Sequence, residues 1–287
     1  MQEPSVAVIV TCYNQERYIR QALDSIVAQT LQPQDVVVID GFSSDRSVEV
    51  IQDWMDETGY PITFIAHDRN YGLCATLNQG MDNLSSDFVC TLYGDDWLEP
   101  DRFARQAPLL AAAPDDVCMV VGSMREVDRF GERIADHDFT ERVAPLVDAS
   151  RQDRLHRLIV ANTIPSPAVM LRADAVRAVG GYDETLTFDD YDMWMRLLTR
   201  YDLAFDPAIV VNYRLLPSSL SRSRDRYGDF LLSEARMIHK HAGISPEIDE
   251  AIRTRLVATE GLLVGFADQP RLERLRGLLE DLPVPHS

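Results

Sequence analysis

Four short apolar runs, each followed by a segment with helical spacing, constrain this chain more than any other feature. Val6 to Val10 is apolar at every position, as a parallel strand covered on both faces requires. Arg17 to Gln29 follows, with Ile19, Ala22, Leu23, Ile26 and Val27 on one helical stripe. The second run, Val36 to Ile39, ends at Asp40, and Ser43, Ser44 and Asp45 offer caps for a helix carrying Val48, Ile51, Trp54 and Met55. Ile62 to Ala66 is the third run, and a helix over Leu73 to Leu84 leads to the fourth at Phe88. Strand and helix in strict alternation predict an α/β fold with a doubly wound, mostly parallel sheet. Ligands of such sheets bind beyond the carboxyl ends of the strands, where Asn14, Asp40, Asp95 and Asp96 fall.

The fourth run reads FVCTLYGDD, an apolar strand that ends on two adjacent carboxylates. Such a pair costs desolvation and repels itself, so it has no fold-stabilising role. A hard divalent cation removes both penalties, and one held by one or two carboxylates uses its remaining positions for substrate phosphates. The first expectation is therefore a phosphorylated or nucleotide-activated substrate.

The second half is less regular. A helix from Arg102 to Ala112 and a strand from Val117 to Val121 precede a hairpin or irregular extension over Met124 to Ala135. Helices are expected at Arg151 to Ala161, Ala173 to Val179 and Asp189 to Thr199, with strands at Ser166 to Leu171 and Ala208 to Tyr213. From Asp225 onward the pattern is helical, broken at Pro246 and Pro270 into three helices. These helices are expected to pack on the parent domain, a homodimer through them being the alternative.

With 46 acidic against 28 basic residues the formal charge is −18, which argues against nucleic acid and against docking on an anionic membrane. The four cysteines, at 12, 74, 90 and 118, form no C-x-x-C pair and read as buried residues of a reducing compartment. The N-terminus has no basic region and only a short apolar stretch, so it reads as a first strand. No run approaches a membrane span, and a soluble cytoplasmic protein is expected.

Several segments together resemble the family 2 glycosyltransferases, inverting enzymes of the GT-A fold. They are VAVIVTCYNQERYIRQALDSIVAQT, VVVIDGFSSDRS, NYGLCATLNQG, FVCTLYGDDWL, GGYDETLTFDDYDMWMRL and NYRLLPSSLS. The resemblance covers roughly residues 5–222. It implies a nucleotide-sugar donor, UDP-linked in the first instance, a divalent cation (Mg²⁺ or Mn²⁺) and a carbohydrate or glycoconjugate acceptor whose hydroxyl is deprotonated by a carboxylate. By resemblance Asp40 receives the nucleobase edge, Thr11 and Tyr13 pack on the nucleotide, and Asn78 belongs to the donor site. Asp95 binds donor and metal, and Asp96 completes the metal pair. Asp190 is the general base, with Asp189 as runner-up.

The organisation implied is a GT-A domain over 1–222, with a nucleotide-binding half (1–122) and an acceptor-binding half (123–222), and a helical extension over 223–287. The chain departs from the family pattern at several points. Asp40-Gly41-Phe42-Ser43 stands where D-D-G-S is usual, and Tyr93 replaces the first acid of D-x-D. Leu77 replaces an Arg, and Leu216 a His after the last strand. A dinucleotide-dependent enzyme or nucleotidyltransferase would need a Gly-rich loop where Thr11-Cys12-Tyr13-Asn14 stands. A non-catalytic relative that binds the donor without transfer remains the rival reading.

Tyr13, Tyr71, Tyr182 and Trp194 are candidates to line the sugar or acceptor pocket, although Trp194 shares a helical stripe with Leu197 and Leu198 and suits the core. The six histidines show no ligand spacing.

Overall fold

A computed structural model describes residues 4–216, 227–266 and 268–283. The expected boundary at 222/223 and the PSSLS part of the last motif lie outside these residues. The first half has the expected order: β1 (Val6–Cys12), α1 (Ile19–Val27), β2 (Asp35–Asp40), α2 (Ser47–Thr58), β3 (Thr63–Ala66), α3 (Leu73–Asp82) and β4 (Phe88–Tyr93). A two-residue strand β5 (Trp97–Leu98) and helix α4 (Arg102–Ala112) come next. The second half holds β6 (Val117–Val127), β7 (Arg133–His137), α5 (Thr140–Val147), α6 (Arg151–Val160), β8 (Val169–Arg172), α7 (Ala173–Ala178), α8 (Asp190–Leu198) and β9 (Asp202–Arg214). Helices α9 (Tyr227–His239), α10 (Pro246–Gly265) and α11 (Gln269–Glu280) close it.

Among the described residues one mixed sheet runs β3-β2-β1-β4-β8-β6-β9-β5, with β7 paired to β6. Strands β1 to β4 are mutually parallel, and β8 joins antiparallel to both β4 and β6. The register sets Thr11 beside Tyr93 and Cys12 beside Asp40, so the loops after β1, β2 and β4 emerge at one edge of the sheet.

Side chains of β1 alternate between two cores. Ala7 and Ile9 enter the one that α3, α8 and the C-terminal helices share, and Val6, Val8 and Val10 the one under α1, α2 and α4. Leu231, Ile238, Ile252, Leu256 and Leu275 of the last three helices lie in the same cluster as Met193 and Trp194 of α8. Trp194 is therefore core. Pro246 and Pro270 sit in the first turns of α10 and α11, where a missing N–H costs nothing. The expected hairpin is β6–β7, a register shift marking Glu126/Val127. All four cysteines are free and buried. No helix among the described residues is long and apolar enough to cross a membrane.

Helix α3 lies close enough to β1 that a Cβ on Gly80 would stand 2.6 Å from Ile9 Cγ2. Gly80→Ala must push α3 off the sheet, and overpacking of this kind costs about 1–3 kcal/mol. Chemical denaturation should show a lowered midpoint for Gly80→Ala, and an unchanged midpoint would mean that the helix can shift freely.

Candidate active site

The loops beyond β1 and β2 are stitched to each other. Ser43 Oγ accepts from the Asn14 amide (2.8 Å), Asn14 Oδ1 from the Ser44 amide (2.8 Å), and Ser47 Oγ from the Gln15 amide (2.8 Å). Two non-glycine residues here adopt left-handed backbone, Asn14 (φ 54°) and Phe42 (φ 75°). Asn tolerates this conformation, and for Phe it is strained. Asp40 holds Phe42 in place. Its Oδ1 accepts from the amides of Phe42 (3.1 Å) and Ser43 (2.8 Å), and its Oδ2 from Ser43 Oγ (2.5 Å). Asp40 is only 1% exposed, so its observed work is to shape this loop. Thr11 is buried below it, while Tyr13 (48%) and Phe42 (53%) expose aromatic rings at the same edge.

The turn after β4 is drawn tightly against β1. The Gly94 amide donates to Thr11 O (2.9 Å), and a Cβ on Gly94 would meet Gln15 Oε1 at 2.5 Å. A larger residue would have to displace the Gln15 side chain and crowd Ile19 Cδ1 (3.0 Å) and Thr11 O (3.2 Å), which favours the Gly before the two acids. Asp95 is partly exposed and Asp96 is 1% exposed. Burial raises both carboxyls, Asp96 well above the usual range, and the charge of Asp95 adds to the rise at Asp96. Arg214 and the Gln15 side chain work against the rise at Asp95.

Arg214, at the end of β9, holds this turn together. Its backbone N donates to Asp96 Oδ1 (2.7 Å). Its guanidinium donates to Asp95 O (2.8 Å), Asp128 O (3.2 Å), Arg129 O (3.1 Å) and Gln21 Oε1 (2.6 Å). Tyr18 and Trp97 place their rings 4.5 and 4.9 Å from its central carbon.

The second acidic pair opens α8. Asp189 is 8% exposed; burial, then the charge of Asp190, push its carboxyl up to about 7. Asp190 is more open, accepts from Asn162 Nδ2 (3.3 Å), and is raised mainly by burial. A Tyr93 side chain spans the gap between the two pairs, its hydroxyl donating to Asp189 Oδ2 (2.8 Å) and standing 3.1 Å from Ser166 Oγ. Asn78 bonds to the loop before α8. Its amide donates to Tyr182 O (2.9 Å) and Glu184 Oε1 (2.8 Å), and its Oδ1 accepts from the Tyr182 amide (2.7 Å), fixing the loop before α8. Tyr182 itself is buried, and Tyr71 is exposed.

Among the described residues no three His, Cys, Asp or Glu side chains converge as a metal cage. Asp95 and Asp96 still fit a hard cation that is shared with a diphosphate. They supply carboxylate oxygens only, and Asp96 Oδ2 is buried with no partner. Arg214, Tyr93 and Asn162 are the participants that the residue patterns did not identify. A lone Arg ending the apolar run of NYR was the available signal for the first.

Removing the Arg214 guanidinium takes a donor from four acceptors, of which Asp128 O keeps the Gly131 amide. Arg214→Met should therefore destabilise the protein by on the order of 3 kcal/mol and loosen the Asp95 turn. Thermal unfolding checks this, and a wild-type transition would show that water replaces the guanidinium.

Residues 7–177 match the family described as Glycosyl transferase family 2. The amylovoran biosynthesis glycosyltransferase AmsE of Erwinia amylovora is 26% identical over 196 residues, 67% of this chain and 69% of its own. The chain spans 64% of the length of the first curated relatives it matches, uncharacterized glycosyltransferases of Rickettsia. Among solved structures, S. aureus TarS in complex with UDP-GlcNAc aligns with a TM-score of 0.64 at 15% identity, over 96% of this chain and 90% of that one. Mannosyltransferase PcManGT from Pyrobaculum calidifontis, in complex with GDP-Man and Mn²⁺, aligns at 0.63 and 16%, over 98% and 84%. These likenesses carry the GT-A fold. With more than half its length inside the family match, the chain belongs to glycosyl transferase family 2.

Proposed function

We propose that this protein transfers a sugar from a nucleotide-sugar donor, a UDP-sugar in the first instance, to an acceptor hydroxyl with inversion, in polysaccharide or glycoconjugate synthesis. The observation that carries the reading is the pairing of two acidic pairs, Asp95/Asp96 and Asp189/Asp190, one tyrosine side chain apart at the edge where family 2 donors are expected. The neighbours' ligands, UDP-GlcNAc and GDP-Man, support a nucleotide sugar, and AmsE supports a polysaccharide product.

In this reading Tyr13 and Phe42 offer apolar rings to the nucleoside, and Asp40 keeps their loop in shape. Asp95 and Asp96 would hold a divalent cation, which when bound neutralises charge on the leaving diphosphate. Asp190 accepts the acceptor's hydroxyl proton as the oxygen attacks the anomeric carbon. The bond from that carbon to the diphosphate oxygen breaks, and its electron pair leaves with the nucleotide. Displacement from the opposite face in one step inverts the centre. Burial raises the Asp190 carboxyl above its usual range, which makes its carboxylate a stronger base. The base being Asp190 rather than Asp189 is supported by its greater exposure, since Asp189 is buried and its Oδ2 accepts from Tyr93.

Calorimetric titration of UDP and of GDP, with Mn²⁺ and with EDTA, should give metal-dependent binding of one of them. Asp95→Asn should abolish the metal dependence. Asp190→Asn should keep nucleotide binding and lose transfer by at least about a hundredfold, the scale of general-base catalysis. Full transfer by that variant would remove Asp190 from the mechanism. Nucleotide binding with no transfer to any acceptor would favour the non-catalytic reading.

A further inference from the structure

The chain places a phenol where its family places the first acid of the D-x-D motif, and the hydroxyl of this phenol bonds to the acid that precedes α8. Tyr93 ends β4, two residues before Asp95. Its hydroxyl donates to Asp189 Oδ2 at 2.8 Å and lies 3.1 Å from Ser166 Oγ. Ser166 opens the short turn of 3-10 helix (Ser166–Ala168) that leads into β8, the strand paired with β4. Three segments distant in sequence thus meet at one hydroxyl.

We propose that Tyr93 is a positioning residue for the transfer step. By donating to Asp189 and meeting Ser166, its hydroxyl fixes the acidic pair of α8 relative to the strand that ends in Asp95 and Asp96. Donor carboxylates and base then sit on one braced unit. The inference rests on the reading of Asp190 as the base.

The electrostatics agree with this role. The titratable groups facing Asp189 are Asp190 on its own helix, Tyr93 on β4, Tyr182 in the preceding loop and Cys74 on α3. Burial keeps both phenols and the thiol neutral, so Asp190 alone among them adds charge. A hydrogen bond donated to a carboxylate favours its ionised form, and Tyr93 opposes the upward push on Asp189. An ionised Asp189 raises the proton affinity of Asp190 and strengthens it as a base. The strongest base is Asp190 beside an ionised Asp189, so the rate rises as Asp189 loses its proton; without the hydroxyl Asp189 keeps that proton to higher pH, and this rise moves the same way.

Tyr93→Phe keeps the ring and removes one oxygen. In the full chain it should leave the nucleotide Kd within about twofold of wild type, lower kcat about tenfold near neutral pH, and move the acid-side rise of kcat upward by about one pH unit. An unchanged kcat, or a loss equal at every pH, would overturn the proposal. A second measurement is independent of turnover. The ¹³C carboxyl resonance of Asp189, assigned with Asp189→Asn, should titrate about one pH unit higher in Tyr93→Phe than in wild type. Identical midpoints would overturn the proposal even if the wild type transfers sugar. Absence of transfer by the wild type would overturn the enzymatic reading and leave the titration to judge the bridge.

Discussion

One buried cation organises the edge of this sheet where the acidic turn after β4 emerges. Among the described residues the Arg214 guanidinium has no carboxylate partner in hydrogen-bond contact; its donors go to the carbonyls of Asp95, Asp128 and Arg129 and to the Gln21 amide oxygen. Those groups belong to the acidic turn, the β6–β7 connection and α1. A guanidinium suits this task because its donors radiate in a fixed plane and its faces can stack, here against Tyr18 and Trp97. Its positive charge also sits near two carboxyls that burial would otherwise neutralise. The same residue therefore fixes the shape of the turn and moderates its electrostatics.

The two acidic pairs are built on opposite principles. At Asp95/Asp96 the inner acid is anchored through one oxygen by the Arg214 amide, while the other oxygen stays buried and unpaired. Such an atom is costly in the free protein, and a cation is the species that would offset that cost. At Asp189/Asp190 the inner acid accepts from a neutral phenol instead, which favours ionisation without supplying charge. The outer acid stays accessible, and burial raises its carboxyl. A cation bound there would quench its basicity, so the proposed chemistry needs the pairs to be close but separately furnished.

The parallel half of the sheet was legible because its strands are covered on both faces and read as unbroken apolar runs. The other half hid its elements behind polar interruptions. Strand β9 begins at Asp202, well before the apolar segment at Ala208, since Asp206 and Pro207 interrupt it. Asp206 is buried there by pairing with Arg105 on α4, which no local pattern announces. Helix α5 carries Val143, Leu146 and Val147 at helical spacing, but Pro145 inside it argues against a helix. At the site, residue type and strand position found Asp95, Asp96 and the α8 acids. They did not tell what Asp40 and Asn78 bond to, because those partners lie in loops or, for Asn78, about a hundred residues away. Tyr93 looked like a lost acid, and its partner Asp189 becomes a neighbour only when β4 and α8 are assembled.

The C-terminal helices bear on the proposed base as well as on the core. Asp192 lies one half-turn after Asp190 and is fully buried, a position a carboxylate holds only with partners. Arg196 on the same helix provides one at 2.6 Å, and Lys240, just past α9, provides another at 2.8 Å. Lys240 also pairs with Asp183 and, against the upward push of burial, holds its carboxyl down at about 2, together with Thr185. One ammonium thus grips the loop before α8 and the first turn of the helix itself. Asn78 grips the same loop from α3 through Tyr182. Asp190 is therefore presented from a segment clamped on both sides, by the sheet-packed α3 and by the helical extension. A base that must meet an acceptor hydroxyl within hydrogen-bond reach gains from such restraint, because a misplacement of about 1 Å is enough to cost a hundredfold in rate.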